Sequence, residues 1–257
     1  MVGAPRVEIA QMENAGFIGL SRQVALEHAM DVVAQNVANI NTTGYKGEHI
    51  RFREFIETTD PTAKIGRTMD FVIDQGMVRD LKDGAMQKTG NTYDVAIAGN
   101  GFFPIRTADG TQYTRNGNFT VNNNSQLVTS EGRAVLGDND QPITIPANAG
   151  EVVIAGDGTI SSGTARIGKI KVVTFNQPQN LDRRSDGLYV AHDSDPARTV
   201  ARPNIIQGVL EASNVQPVME ITRMISVQRA YEGAKSLVDT VSQISSDTVR
   251  RLGQRAA

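Results

Sequence analysis

Two stretches at opposite ends of the chain carry apolar residues at alternating three- and four-residue steps. In the first, Leu26, Met30, Val33, Val37 and Ile40 fall on one narrow stripe of a helix, the seam of a coiled coil rather than a broad core-covering face. The spacing predicts a firm helix over residues 21–40, with earlier turns weakened by Gly16 and Gly19. Asn41, Thr42, Thr43 and Gly44 are expected to end it. Short polar side chains compete for backbone bonds, and glycine takes the left-handed conformation that closes a helix. In the second stretch, Val227, Ala230, Ala234, Leu237, Val241 and Ile244 form the seam, widened by Met224, Tyr231 and Val238. Asn214 is the expected N-cap, which makes Pro217 the third helical residue, where a missing N–H has no intrahelical partner. Arg250, Arg251 and Arg255 suit the dipole at the far end. Single helices of this kind are marginal in water. The two seams are therefore expected to pack antiparallel, with surplus apolar flank turned toward other copies.

Outside the seams the pattern changes twice. Residues 1–11 have no clear period and contain Pro5, so they read as a flexible arm. Residues 45–92 are mixed: Ile50, Phe52 and Phe55 suggest an extended piece, Asp60-Pro61 a turn, and Phe71, Val72 and Ile73 a strand. From residue 93, short apolar runs recur at 95–98, 102–105, 119–121, 127–129, 134–136, 143–145, 152–154, 170–175 and 188–190. Asn100-Gly101, Asp109-Gly110, Asn116-Gly117, Glu131-Gly132 and Asp157-Gly158 separate many of them, supplying the positive φ that tight hairpins need. Strands at this cadence without helical pattern make an all-β domain. The expected class is α+β, with paired terminal helices and a central all-β domain inserted between them. The expected division is a terminal helical domain (12–44 and 212–257), an irregular connecting region with short strands (45–92 and 191–211) and the β domain (93–190).

Composition narrows the chemistry. The 257 residues carry a net charge of −2, so no bulk basic field points to nucleic acid. Without cysteine, disulfides and thiolate metal sites are excluded. No apolar run is long enough to span a membrane, and the opening MVGAPRVEIAQ lacks the apolar core of a cleavable signal. His28, His49 and His192 have no partner at metal-binding spacing. AGNGFF, from Ala98 to Phe103, lacks the third glycine and helix of a dinucleotide loop and reads as a hairpin turn. Asp138 and Asp140 begin like a calcium loop, but Ile143 and Ala149 stand where glycine and glutamate belong. No catalytic, cofactor or metal residue is assigned. Asn36, Asn39 and Thr43 form a polar line beside the first seam, to be read either as solvated surface or as amides that fix register between helices.

Three separated motifs resemble the bacterial flagellar rod and hook family. QNVANINTTGYKG, with Asn36, Ala38, Asn39, Asn41, Thr42, Gly44, Tyr45 and Lys46, matches its N-terminal signature, preceded by MENAGFIGLSRQ. SNVQPVMEITRMISVQRAYEGAK matches the C-terminal one through Ser213, Asn214, Val215, Glu220, Gln228, Arg229, Ala230, Tyr231 and Glu232. DVAIAGNGFF, YTRNGNF and LVTSEGRAVLG resemble the shared central β module. Length and opening look most like the proximal-rod branch, while the distal-rod branch shares all three motifs. The arm before Met12 departs from the family's usual start. The resemblance implies a structural subunit, neither enzyme nor cofactor carrier. Such a protein is exported without a cleaved signal by the flagellar type III apparatus. It assembles helically with copies of itself and other rod proteins into the drive shaft crossing the periplasm. The implied subunit contacts are the two seams together with Asn36, Asn39, Asn41, Thr43 and Tyr45. The rival from another class, a secreted β-domain enzyme or carbohydrate-binding module, needs a pocket of aromatic and acidic residues. Aromatics are only 5% of the chain and tryptophan is absent, which counts against sugar stacking.

Overall fold

The computed structural model describes residues 5–58, 68–184 and 186–255. Helix α1 runs Pro5–Ala38 and helix α2 runs Pro217–Arg255. Pro5, the first described residue, already belongs to α1. The expected arm is thus helical from residue 5. At the other end, α1 stops at Ala38 instead of continuing through Ile40 to Gly44. Thr42 and Tyr45 then donate backbone bonds to the Asn39 and Thr42 carbonyls, folding the segment into turns.

Gly44 has the expected left-handed φ of 70°, but its surroundings demand glycine for a further reason. Its N–H donates to the Glu211 carbonyl at 2.7 Å, and a Cβ would lie 2.6 Å from the Arg115 backbone. The expected capping of α2 is also corrected. Pro217 is the first helical residue, and Glu220 N donates to the Gln216 carbonyl at 3.0 Å. The Asn214 carboxamide is used elsewhere: it accepts from Gly47 N at 2.8 Å and donates to the Asp80 carbonyl at 2.8 Å.

Two strands, β1 (Glu48–Thr58) and β2 (Thr68–Arg79), pair as a two-stranded sheet where short pieces were expected. The Asp60-Pro61 turn lies outside the described residues. The chain forms two compact units. The first gathers α1 to Val37, the β1 and β2 strands to Val78, and α2; the second comprises residues 38–47 and 79–215.

The second unit is built from short antiparallel strands. In chain order they are β3 (Met86–Lys88), β4 (Val95–Ile97), β5 (Phe103–Thr107), β6 (Gly110–Thr114), β7 (Phe119–Val121), β8 (Leu127–Thr129) and β9 (Ala134–Val135). Then come β10 (Val152–Ile154), β11 (Thr159–Ser162), β12 (Ala165–Lys169), β13 (Val173–Thr174) and β14 (Asp182–Arg183). The last are β15 (Tyr189–Val190), β16 (Arg198–Thr199), β17 (Ile205–Gln207) and β18 (Val209–Glu211). The main sheet is ordered β14-β15-β6-β5-β9-β8-β7, and β10-β11-β12 form a second. Strand β17 pairs with β4, placing Ile205 opposite Ile97, and β18 pairs with β3. Much of the region expected to be a connection, 191–211, is therefore part of the β unit. Strands β6, β11 and β12 went unnoticed in the sequence because their polar residues carry no apolar alternation.

Successive side chains on a strand face opposite ways, and Phe102 and Phe103 show the consequence. Phe103 packs edge-on to Phe119 in a core with Val95, Ile105, Leu127 and Ile160. Phe102 joins a second core, edge-on to Phe175 and Tyr189. At Asn116-Gly117 the glycine serves close approach rather than positive φ: a Cβ on Gly117 would lie 1.7 Å from the Val95 carbonyl oxygen.

Candidate assembly interface

Within the first unit, α1 and α2 run antiparallel. Gly19 lies against Leu237 and Val238, Gln23 Nε2 donates to the Tyr231 hydroxyl at 3.0 Å, and Asn36 meets Glu220. Positions thus rise on one helix as they fall on the other. The absence of a side chain at Gly19 sets the close approach, since a Cβ there would stand 2.8 Å from Val238 Cγ2. The row that α1 buries is Ala25, Ala29, Val32, Val33 and Asn36. This is the expected seam turned by about one residue toward smaller side chains.

Asn36 is fully buried, with 0% exposure. Its Nδ2 donates to the Glu48 carbonyl at 2.8 Å, and its Oδ1 accepts from Glu48 N at 3.0 Å. The carboxamide thus pairs the first residue of β1 as a neighbouring strand would. Its second hydrogen reaches Glu220 Oε2 at 3.2 Å. Arg223 completes the arrangement by donating to Glu220 Oε1 at 2.6 Å while its Nη1 lies 2.9 Å from His49 Nδ1. One amide therefore ties α1, α2 and β1 together and is fully satisfied. Of the polar line, Asn36 is thus buried and hydrogen-bonded to a neighbouring helix and strand, not solvated surface. Asn39 instead accepts from the Thr42 hydroxyl in a local turn at 3.0 Å.

The expected interface residues fall into three groups. Val33, Asn36, Tyr45 and Ala234 are buried within the chain, Tyr45 beneath the Arg183 guanidinium at 4.2 Å. Leu26, Met30, Val37, Ile40, Asn39 and Thr43 are half-buried, as are Val227, Ala230, Tyr231, Val238 and Val241. Asn41, Leu237 and Ile244 are exposed, the last two at 50% each. The periodicity reading missed the most exposed apolar residues. On α1 these are Phe17 at 65%, Leu20 and Val24; on α2 they include Val218, Ile221 and Ile225. Their own three- and four-residue spacing was the available signal.

The second unit holds a buried charge cluster that also escaped the sequence reading. Lys46 and Glu211 are each 1% exposed and meet at 2.6 Å, Nζ to Oε1. Arg115 donates through Nε to Glu211 Oε2 at 2.9 Å, through Nη2 to Asp83 at 2.9 Å, and through Nη1 to the Gly99 and Gly101 carbonyls. Lys46 Nζ also donates to the Lys82 carbonyl, and Gly84 N donates to Glu211 Oε1. Burial first, then the Arg115 charge, holds the Lys46 ammonium below its ordinary value, against the pull of Glu211 and Asp83. Between that lowered value and the ordinary one near 10.5, the unfolded chain binds more protons than the folded one, so this group adds stability as pH rises. The stability difference between the natural protein and Lys46→Met, measured by urea unfolding from pH 8 upward, should accordingly grow in favour of the natural protein. The available signal was that Lys46 and Arg115 both sit within the motifs GYKG and YTRNGNF.

Among the described residues no cluster of side chains could hold a metal ion, and no helix is long and apolar enough to cross a membrane. Asp140 sits at a turn with φ of 59° and binds Lys171 Nζ at 2.6 Å. His192 Nε2 lies 3.4 Å from Asp182.

Three family models match the chain. They are the flagella basal body rod protein over residues 18–46, the flagellar hook protein FlgE/F/G D1 domain over 96–162, and the flagellar basal body rod FlgEFG protein C-terminal region over 206–251. The flagellar basal-body rod protein FlgF of Caulobacter vibrioides is 41% identical, covering 95% of this chain and 99% of its own. FlgF of Mesorhizobium japonicum is 32% identical over 95% and 100%. FlgG of Bacillus subtilis, also named a flagellar basal-body rod protein, is 34% identical over 91% and 97%.

Proposed function

Because this chain belongs to the flagellar basal-body rod protein family, we propose that it serves as a proximal-rod subunit that passes torque from motor to hook. In this role it assembles helically with copies of itself and with other rod proteins, without catalysis. It reaches the periplasm through the flagellar type III export apparatus. The 41% identity to a FlgF across almost the whole length favours the proximal over the distal position.

One observation carries the mechanical part of the reading: both terminal helices leave apolar side chains in water after pairing with each other. Exposed apolar rows of this kind mark association surfaces. Polymerisation would cover them and make each helix pair a segment of a continuous shaft. Leu237 tests this directly, being half exposed and remote in sequence from the β unit. Leu237→Asp should abolish incorporation into basal bodies and motility, while the β unit keeps its near-native circular dichroism. Normal swimming by that variant would overturn the role given to α2.

A further inference from the structure

The first unit contains a recess of about 270 Å³ beside the helix pair. Its apolar lining comes from Ala29, Val32 and Val33 of α1, Ile50 of β1 and Val227 of α2. His49 and Arg223 supply polar groups, the Arg223 side chain being 44% exposed, and the buried Glu48 lies beside them. A cavity of about 150 Å³ accepts a benzene ring, so the recess has room for two aliphatic side chains.

The same chain carries a row of matching character. Phe17, Leu20 and Val24 are exposed, and Glu27 and Asp31 continue the row at the same three- and four-residue steps. It is apolar for two turns and acidic for the next two. At 100° per residue the row lies about 150° around α1 from the packed positions Ala29, Val32 and Val33. Knob and recess thus use nearly opposite faces of one helix. Two different complementary patches on one subunit are what a helical polymer of identical chains requires, since its contacts are heterologous.

We propose that the recess receives Leu20 and Val24 of a second copy of this chain, with that copy's Glu27, one turn on, meeting Arg223 and His49. Phe17 extends the contact. The charge order decides the direction of insertion: only with the acidic turn toward Arg223 do both the apolar and the charged parts find partners. This assignment rests on the rod-subunit reading and specifies the contact between copies.

The chain has no cysteine, so Val24→Cys and Val227→Cys together place its only thiols on the two patches. Within one chain they cannot join. Gly19 lies against Val238 in the antiparallel pair, so position 24 stands roughly 8 Å along the axis from 227 and on the outer face of α1, whereas a disulfide needs Cα atoms within about 7 Å. Oxidising basal bodies from cells carrying the double variant should give disulfide-linked trimers and higher multiples on a non-reducing gel. Neither single variant can form them. A double variant that is present in basal bodies yet stays monomeric overturns this contact and leaves the rod-subunit reading standing. Absence of even the natural chain from basal bodies overturns both. If the double variant alone fails to enter, Glu27→Arg combined with Arg223→Glu decides the matter. Entry of the pair where each single change is lost supports the contact, and no rescue overturns it.

Discussion

Glu211→Ala is expected to destabilise the β unit by about 3–5 kcal/mol, the range for removing one partner of a buried ion pair. Lys46 and Arg115 would be left as two buried cations, 1% and 3% exposed, with Asp83 as their remaining charged partner. The change also strips Gly84 N of its acceptor. The loss should appear as a lower urea midpoint with an unchanged slope, since the unfolded chain exposes the same surface. Glu211→Leu with Lys46→Met and Arg115→Leu should recover much of it, because replacing a whole buried ionic group by apolar side chains is often neutral or stabilising. If the single change costs less than about 1 kcal/mol, the cluster behaves as solvated surface and its role here is wrong.

Asn36→Asp should cost about 3 kcal/mol or more at neutral pH, although the two side chains have nearly the same shape. The new carboxylate cannot donate to the Glu48 carbonyl and stands where Nδ2 met Glu220 Oε2 at 3.2 Å. Two buried groups lose their donor and two carboxylates are forced together. That proximity raises the pKa of the introduced acid in the folded state. The sign of the pH dependence follows: the variant regains stability as pH falls through the raised value, where a protonated carboxyl can donate again. Asn36→Leu, which carries no charge, should show a loss without this recovery. Thermal melts of the helical signal between pH 7 and pH 5 separate the two. An aspartate variant as stable as the natural protein at pH 7 would mean that the amide is not what ties α1, α2 and β1 together.

Asn36 lies inside a recognisable motif, where the sequence left open whether its amide is solvated or fixes register; Glu211, bonded to motif residues, received no role from the sequence. Lys46 stood out only as part of GYKG; its acceptor Glu211 is 165 residues away. Arg115 is 96 residues from the same carboxylate. Periodicity reports which face a residue lies on, whereas pairing of buried charges depends on loops closing across the whole chain. Gly44 illustrates a partial success. Its left-handed conformation was legible because few other residues tolerate it. The reason it must be glycine is the Arg115 backbone 2.6 Å from where its Cβ would be.

The amino-acid sequence by itself determined that the chain has a helix at each end, that the two seek one another, and that short strands lie between them. These follow from local periods of 3.6 and 2 and from glycine-bearing turns, and a period survives without knowledge of the partner. Only the tertiary structure decided which row of α1 is packed. Leu26, Met30 and Val37 offered the larger apolar surface, but close approach at Gly19 and the Asn36 anchor turn the helix toward Ala25, Ala29 and Val32. Rotating a helix by about 100° per residue step barely changes its pattern in sequence, yet it decides which side chains are buried. That rotation leaves Phe17, Leu20 and Val24 exposed on the outer face, where a neighbouring copy can reach them.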